Sequence, residues 1–400
     1  MRFVLLQMLS ICMSLVAVVP AVAQNDQSAQ TIADGTADTA QPNSKSAPVW
    51  QRIGNTGMPA GNWAIQFDPS GVMYISSNNV ATGGVSKSTN KGYTWKVINT
   101  GFTCTLHPGM GVAPNGTVFA GNDYCTVIHQ GNNHFYWLDN IGGTGTVWKS
   151  VTTPNSVGNG SSWGQSVIAN DGKTIVSTAL SGIWLSTDNA RTWVHSPGSP
   201  VQGTNGVAEG LDTHKQPDGT IYAGFAHGGV FYSKDNGQHF TQLGYPPVNP
   251  GNTNHNGGDI WAMATAPAGP VGGYLMVGAG DSGNNGAGAG LWCYGPQAPP
   301  NGKWVFCGNN DPLGKWIDFT RIITNPSKTR TIAIHNGTRG AGVLYTDDGI
   351  NWYPANSGLP PDPSTTYGGA ATGGLAVDNS TSYYYIVLRD GDVYRTTVPQ

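Results

Sequence analysis

Three features of this sequence predict an all-β fold, a seven-bladed β-propeller of four-stranded antiparallel blades: a turn motif repeated seven times, an aromatic residue repeated seven times in phase with it, and a composition poor in helix-stabilising charge. Gly supplies 58 of 400 residues, about twice the usual share, and charged residues make up only 10%. Long helices laced with ion pairs are excluded by that scarcity. With 19 Lys+Arg against 22 Asp+Glu, there is no basic field to meet a phosphate backbone, so nucleic acid is excluded as a partner.

The chain opens with a charged head at Arg2, an apolar run over 3–19 and the small-residue site Ala21-Val22-Ala23. Residues 1–23 therefore read as a secretory signal peptide, which predicts a secreted or periplasmic protein. The run is short for a span and no second long one follows, so no membrane contact is expected after cleavage. Residues 24–48 are Ala, Gln, Ser, Thr and Asp with little to bury, and read as a disordered polar linker. Cleavage removes Cys12 and leaves Cys104, Cys125, Cys293 and Cys307, an even number in an oxidising compartment. Cys104–Cys125 with Cys293–Cys307 is the sequence-local choice among three possible connectivities.

From residue 49 to 400 the repeat takes over. Its first register is a short turn between two apolar stretches, beginning at Asp68, Ala113, Ala169, Gln216, Ala266, Asn325 and Val377, as in Asp68-Pro-Ser-Gly71 and Gln216-Pro-Asp-Gly219. A β-rich run such as Thr220-Ile-Tyr-Ala-Gly224 follows each turn. The second register is Ser88-Thr-Asn-Lys-Gly-Tyr-Thr-Trp95, Ser186 to Trp193, Ser233 to Phe240 and, more weakly, Tyr345 to Trp352. In the full pattern the Ser hydroxyl and Asp carboxylate are placed to accept backbone N–H bonds while the aromatic ring packs inward, which assigns Asp188, Asp235 and Asp347 to turns. The third register is the aromatic itself, at Trp50, Trp95, Trp148, Trp193, Phe240, Trp304 and Trp352, spaced 45 to 64 residues apart. The last repeat stops after Val393-Tyr-Arg-Thr-Thr397 without its outer strand, and the first begins with only that strand, Val49-Trp-Gln-Arg-Ile53. The N-terminal strand should complete blade seven and close the ring, which removes open sheet edges.

The second register matches the Asp-box pattern Ser-x-Asp-x-Gly-x-Thr-Trp, with Asn90, Ala190 and Tyr345 as departures. Over residues 49–397 the chain resembles the Asp-box (BNR-repeat) propellers, which include sialidases, sortilin-type receptors and xyloglucanases. The resemblance implies that the boxes lie on the face opposite the usual site. It also argues against sialidase chemistry, because Arg321-Ile322-Ile323 lacks the Arg-Ile-Pro proline and only Arg321, Arg339 and Arg389 reach the expected mouth. Xyloglucanases use aspartates as acid and base but are built from two propellers, whereas this chain has repeats for one.

The mouth should form from the loops entering each innermost strand and those joining strands two and three, among which 121–145 and 278–290 are long. Asp68, Asp171, Asp218 and Asp378 belong to the inner turns. Glu209, the chain's single glutamate, Asp259 and Asp318 each fall seven residues before the turn in blades four, five and six. Acids so placed would raise one another's pKa and separate into an acid and a base or nucleophile, the requirement for cleaving a glycosidic bond. Trp63, Trp163, Trp261 and Tyr367, with Trp137 on the long insertion beside His134 and Tyr136, are candidate sugar platforms. Arg321, His107 and His227 are candidate substrate contacts, and a histidine–arginine set would suit β-elimination from a uronate. The histidines lack metal spacing, so neither metal nor cofactor is expected. The predicted function is a monomeric, carbohydrate-active propeller acting on a polysaccharide or oligosaccharide, foremost a glycoside hydrolase, with a lyase and a noncatalytic carbohydrate- or protein-binding propeller as alternatives.

Overall fold

Hairpin turns separated by short β-rich runs leave each run one antiparallel partner on either side, and the chain folds accordingly. The computed structural model describes residues 46–58, 62–77, 83–102, 109–121, 134–138, 144–152, 166–179, 182–200, 210–226, 228–247, 259–280, 290–308, 319–335, 342–361 and 372–400. These hold 28 strands in seven four-stranded antiparallel sheets, the blades of an all-β propeller. Blade one is β2 (Asn62–Phe67), β3 (Met73–Ser77), β4 (Gly84–Ser88) and β5 (Lys96–Val97), and blade two is β6 (Gly109–Val112), β7 (Val118–Gly121), β8 (His134–Leu138) and β9 (Lys149–Thr152). Blade three is β10 (Val167–Ile168), β11 (Ile175–Ala179), β12 (Gly182–Ser186) and β13 (Val194–His195), and blade four is β14 (Gly210–Lys215), β15 (Ile221–Phe225), β16 (Gly229–Ser233) and β17 (Thr241–Gly244). Blade five is β18 (Asp259–Thr265), β19 (Leu275–Gly280), β20 (Gly290–Gly295) and β21 (Lys303–Phe306), and blade six is β22 (Phe319–Thr324), β23 (Thr331–His335), β24 (Gly342–Thr346) and β25 (Tyr353–Pro354). Blade seven runs β26 (Thr372–Val377), β27 (Tyr384–Leu388), β28 (Asp392–Thr396) and then β1 (Trp50–Asn55), so the N-terminal strand does close the ring.

The core is distributed rather than central. Each pair of neighbouring blades shares one buried apolar cluster, from Tyr74, Val85 and Tyr136 between blades one and two to Met73, Ile75 and Val387 between seven and one. Every blade is thus wedged by two such clusters, and burying one large apolar side chain contributes roughly 1.5–3 kcal/mol. The recurrent aromatics do part of this work by two routes. Trp95 and Trp193 donate their indole N–H to Gly92 O (2.8 Å) and Ala190 O (3.2 Å) in their own turns. Trp50, Trp148 and Trp352 reach back to the preceding blade, donating to Ala355 O (2.7 Å), Ile98 O (2.6 Å) and Cys307 O (2.8 Å). Where the chain passes beside these rings, Gly101 (φ 97°) and Gly358 (φ 86°) lie against the carbonyl oxygens of Trp148 and Trp50, where a Cβ would collide.

The box turns bond as their sequences predict in blades one, three and four. Ser186 Oγ accepts Ala190 N–H (2.9 Å) and Asp188 Oδ1 accepts Thr192 N–H (2.8 Å), and Ser233 and Asp235 repeat the pattern with Gly237 and His239. The fourth box is corrected by one residue. Thr346, not Tyr345, supplies the hydroxyl and Asp348, not Asp347, the carboxylate, which accepts Ile350 N–H (2.9 Å) and Asn351 N–H (2.8 Å). Asp347 is thereby released to pair with Arg330. Burial pushes the Asp188, Asp235 and Asp348 carboxyls up, but the hydroxyl and amide donors outweigh it and hold all three below the ordinary carboxylate value.

Two side-chain networks secure the closure. Arg52 on β1 makes two bonds to Asp392 on β28 (2.6 and 2.7 Å), and Asn55 donates to the same carboxylate at 2.6 Å. At blade six the fully buried Arg330 makes two bonds to Asp347 (2.6 and 2.7 Å), donates to Ser46 O at 2.8 Å and to Gln400 Oε1, and lies over the Tyr345 ring. It therefore ties segments near both ends of the propeller to one blade.

Cys293 and Cys307 form a disulfide across β20 and the chain leaving β21, while Cys104 and Cys125 lie outside the described residues. The bond closes a loop with a sequence separation of 14. Replacing both cysteines by Ala is expected to destabilise the protein by about 3 kcal/mol, since a loop of that length loses about this much closure entropy when cross-linked in the unfolded chain. Urea denaturation of the double variant measures it, and an unchanged midpoint would remove this stabilising role.

Candidate functional site

Among the described residues five innermost strands carry a register shift at one and the same place, five residues before the turn that begins at Asp68, Gln216, Ala266, Asn325 and, in blade seven, Asp378 rather than Val377: between Asn62 and Ala64, Gly210 and Asp212, Ile260 and Ala262, Phe319 and Arg321, and Thr372 and Gly374. An extra residue at such a bulge kinks the strand and re-aims the side chains beside it. Trp63 and Trp261 are themselves the extra residues in blades one and five, and Trp261 is half-buried. Both sit at the mouth end of the hub, where the sequence places sugar platforms.

Immediately after the bulge, blades four and six present opposite charges at the same register. Asp212 and Arg321 each stand four residues before the inner turn, and each is buried, 6% and 8% exposed. Asp212 Oδ2 accepts the Met263 N–H of blade five at 2.7 Å, so one carboxylate stitches two blades together at the hub. Arg321 donates from Nη1 to Thr320 O at 2.7 Å. Burial pushes its guanidinium down from the ordinary value, and the Asp212 carboxylate opposes that shift. Sequence reasoning missed Asp212. The signal was present, because counting back from the turn by four residues, as counting back by seven aligned Glu209, Asp259 and Asp318, aligns Asp212 with Arg321.

Asp259 begins β18 and is 1% exposed. It pairs with Gly280, two residues from Gly278, whose missing side chain makes room for Phe319 and Ile322 of blade six. Directly paired residues share a face, so Asp259 lies on the side of blade five that faces blade six. Asp212, paired with Gly224, faces blade five by the same reasoning, since the Gly224 position abuts Ile260. Asp212 thus lies on the seam between blades four and five and Asp259 on that between five and six, while Arg321, paired with Ile334 of the cluster shared with blade seven, lies on the far side of blade six within the field of Asp212. Glu209, Asp318, Trp163, Tyr367, His107 and His227 lie outside the described residues.

Trp137 requires a correction. His134, Tyr136 and Trp137 belong to strand β8 rather than to a loop insertion, because the run His134-Phe-Tyr-Trp-Leu138 is strongly β-favouring and completes the third strand of blade two. Trp137 pairs with Phe119 near the box end of the strand, away from the mouth. Its ring is half-buried and carries Lys149 at 4.5 Å and Arg191 at 5.1 Å. Among the described residues no group of three His, Cys, Asp or Glu side chains could hold a metal ion, and no helix is long and apolar enough to cross a membrane.

No protein-family model and no curated protein sequence matches the chain. Solved structures do resemble it. A GH74 xyloglucanase from Xanthomonas campestris superimposes with a TM-score of 0.61 at 15% identity over 86% of this chain and 53% of that one. The extracellular domain of a putative one component system, BT4673 from B. thetaiotaomicron, gives 0.56 at 14% identity, covering 86% of this chain and 40% of the other. YCF48 from Cyanidioschyzon merolae gives 0.54 at 11% identity, covering 87% and 98%. The chain spans about half the length of the xyloglucanase. At these identities the likeness establishes the seven-bladed fold, which hosts unrelated activities.

Proposed function

We propose that this protein is a secreted, carbohydrate-active propeller of the Asp-box type that hydrolyses a polysaccharide or oligosaccharide at the mouth end of its hub. The observation that carries the reading is the presence of Asp212, Asp259 and Arg321 on the innermost strands of three consecutive blades, with Arg321 in the field of Asp212 and the bulged Trp261 two residues after Asp259. Asp259 supplies one carboxylate of the acid/base pair, and Glu209 or Asp318 supplies the other. Asp212 is already engaged by a backbone amide and the field of Arg321, so its role is to position β18 rather than to transfer a proton. Likeness to a xyloglucanase fold adds support, and residues 1–23, as a signal peptide, would deliver the protein to extracellular glycans.

A second reading, a noncatalytic glycan binder, draws on the 1% exposure of Asp259, since a group that turns over substrate must meet it. A panel of polysaccharides separates the readings. Hydrolysis yields new reducing ends, β-elimination yields an ultraviolet-absorbing unsaturated sugar, and binding alone yields retention on an affinity gel with neither product. On a substrate so identified, Asp259→Asn is expected to lower kcat by more than about tenfold, because the amide can neither give nor take the proton. Full activity in that variant would remove Asp259 from the mechanism.

A further inference from the structure

At the opposite end of the hub, where the inner turns lie, the described residues line a solvent-open cavity of about 800 Å³. This is within the usual range for small-molecule sites, roughly 300–1,000 Å³. Its wall carries an oriented chain of polar groups from blades four and five. Thr265 gives its single hydroxyl proton to Gln216 Oε1 at 2.8 Å, so the 3.0 Å contact between Thr265 Oγ1 and His214 Nε2 must be donated by the imidazole. His214 is therefore the Nε2–H tautomer, and its Nδ1 is an acceptor. At the other end of the chain, Gln216 Nε2 finds no acceptor in the protein, although Gln216 is 6% exposed. A buried amide donor without a partner costs about 1–3 kcal/mol.

The remaining lining narrows the chemistry of a ligand. The cavity's charged side chains are Lys215 and Lys328 against Asp68 and Asp378, two of each sign, so their formal charges cancel. Asp68 accepts bonds from Ser70 and Val72, and Asp378 from Ser380 and Thr381, within their own turns. Ile65, Met263 and Ile322 line the same space. The wall thus offers an unused donor, an acceptor and an apolar patch without net charge.

We propose that this turn-side end of the hub is a second binding site, for an uncharged polyhydroxylated ligand the size of a mono- to trisaccharide, whose hydroxyl accepts the Gln216 amide hydrogen. The site stands on its own geometry and does not depend on hydrolysis at the mouth. The test is NMR of the full chain with labelled histidine, the His214 resonance being assigned with His214→Gln, during titration with D-glucose, cellobiose and, as the charged comparison, D-glucuronate. A saturable shift of the His214 resonance with a neutral sugar is expected, and Gln216→Met should weaken that binding about tenfold while Asp259→Asn leaves it unchanged. The proposal is overturned by no saturable shift with either neutral sugar, by a response to glucuronate alone, or by binding that survives Gln216→Met. Sensitivity to Asp259→Asn would assign the sugar to the mouth and overturn it as well. The shift in the unmodified protein is decisive even if Gln216→Met does not fold.

Discussion

Asp347→Ala is expected to destabilise the propeller by about 3–5 kcal/mol, while Arg330→Met should cost distinctly less. The asymmetry follows from where each charge sits. The Arg330 side chain is fully buried, and Asp347, 19% exposed, is the carboxylate that makes two bonds to it. Without Asp347 the guanidinium loses two charge-assisted bonds, and Ser46 O, Gln400 Oε1 and the Tyr345 ring, which also contact it, carry no compensating charge. Without Arg330 the carboxylate can turn to water, and the thioether fills much of the vacated space. Urea denaturation of both variants and of the double variant measures this directly, and the double variant should recover part of the Asp347→Ala loss. Equal effects for the two single changes would show that the pair acts through packing alone.

Between about pH 6.5 and about pH 4 the protein should lose between about 3 and 4 kcal/mol through His214 alone. Burial, and secondarily the nearby Lys328 ammonium, lowers the native imidazole from its ordinary value of 6.5 to about 4. The unfolded chain therefore takes up a proton as pH falls through 6.5, while the folded chain stays neutral until about 4. Stability is present above the unfolded pKa, declines across that window and levels off below it. His214→Gln should flatten the dependence, which is read as the difference between variant and parent in unfolding free energy at about pH 7 and about pH 4. The turn carboxylates act in a lower window. Asp171, Asp188, Asp235, Asp348 and Asp378 are all held below the ordinary value by hydroxyl and amide donors that outweigh their partial desolvation, so their contribution is present above the unfolded carboxylate pKa of about 3.9 and lost as pH falls through the depressed native values. A parent protein with no decline above about pH 4.5 would contradict the assignment of His214 as a half-buried group held neutral in the folded protein.

Much of the architecture is legible residue by residue. Asp188 and its turn are readable because donor and acceptor lie within four residues of each other, so the motif carries its own geometry. Ring closure by β1 is readable from phase, because Trp50 repeats the outer-strand aromatic while the last repeat lacks one. The fourth box is misread by one residue because a Thr hydroxyl can replace that of Ser, and because Arg330, 17 residues away, captures the carboxylate the pattern had claimed. The strand holding Trp137 is hidden by the long insertion before it, although its own residues favour β structure.

At the hub, spacing along the chain could align Glu209, Asp259 and Asp318 by register, and it assigned Arg321 to the mouth. It could not show that Asp212 bonds an amide 51 residues away, nor that a Gln216 hydrogen is left without an acceptor. Turn type, strand period and blade number follow from short-range hydrogen bonding and side-chain shape, which a linear sequence encodes directly. Which buried polar group meets which depends on how neighbouring wedges pack around the axis, and those distances exist only after the ring has closed.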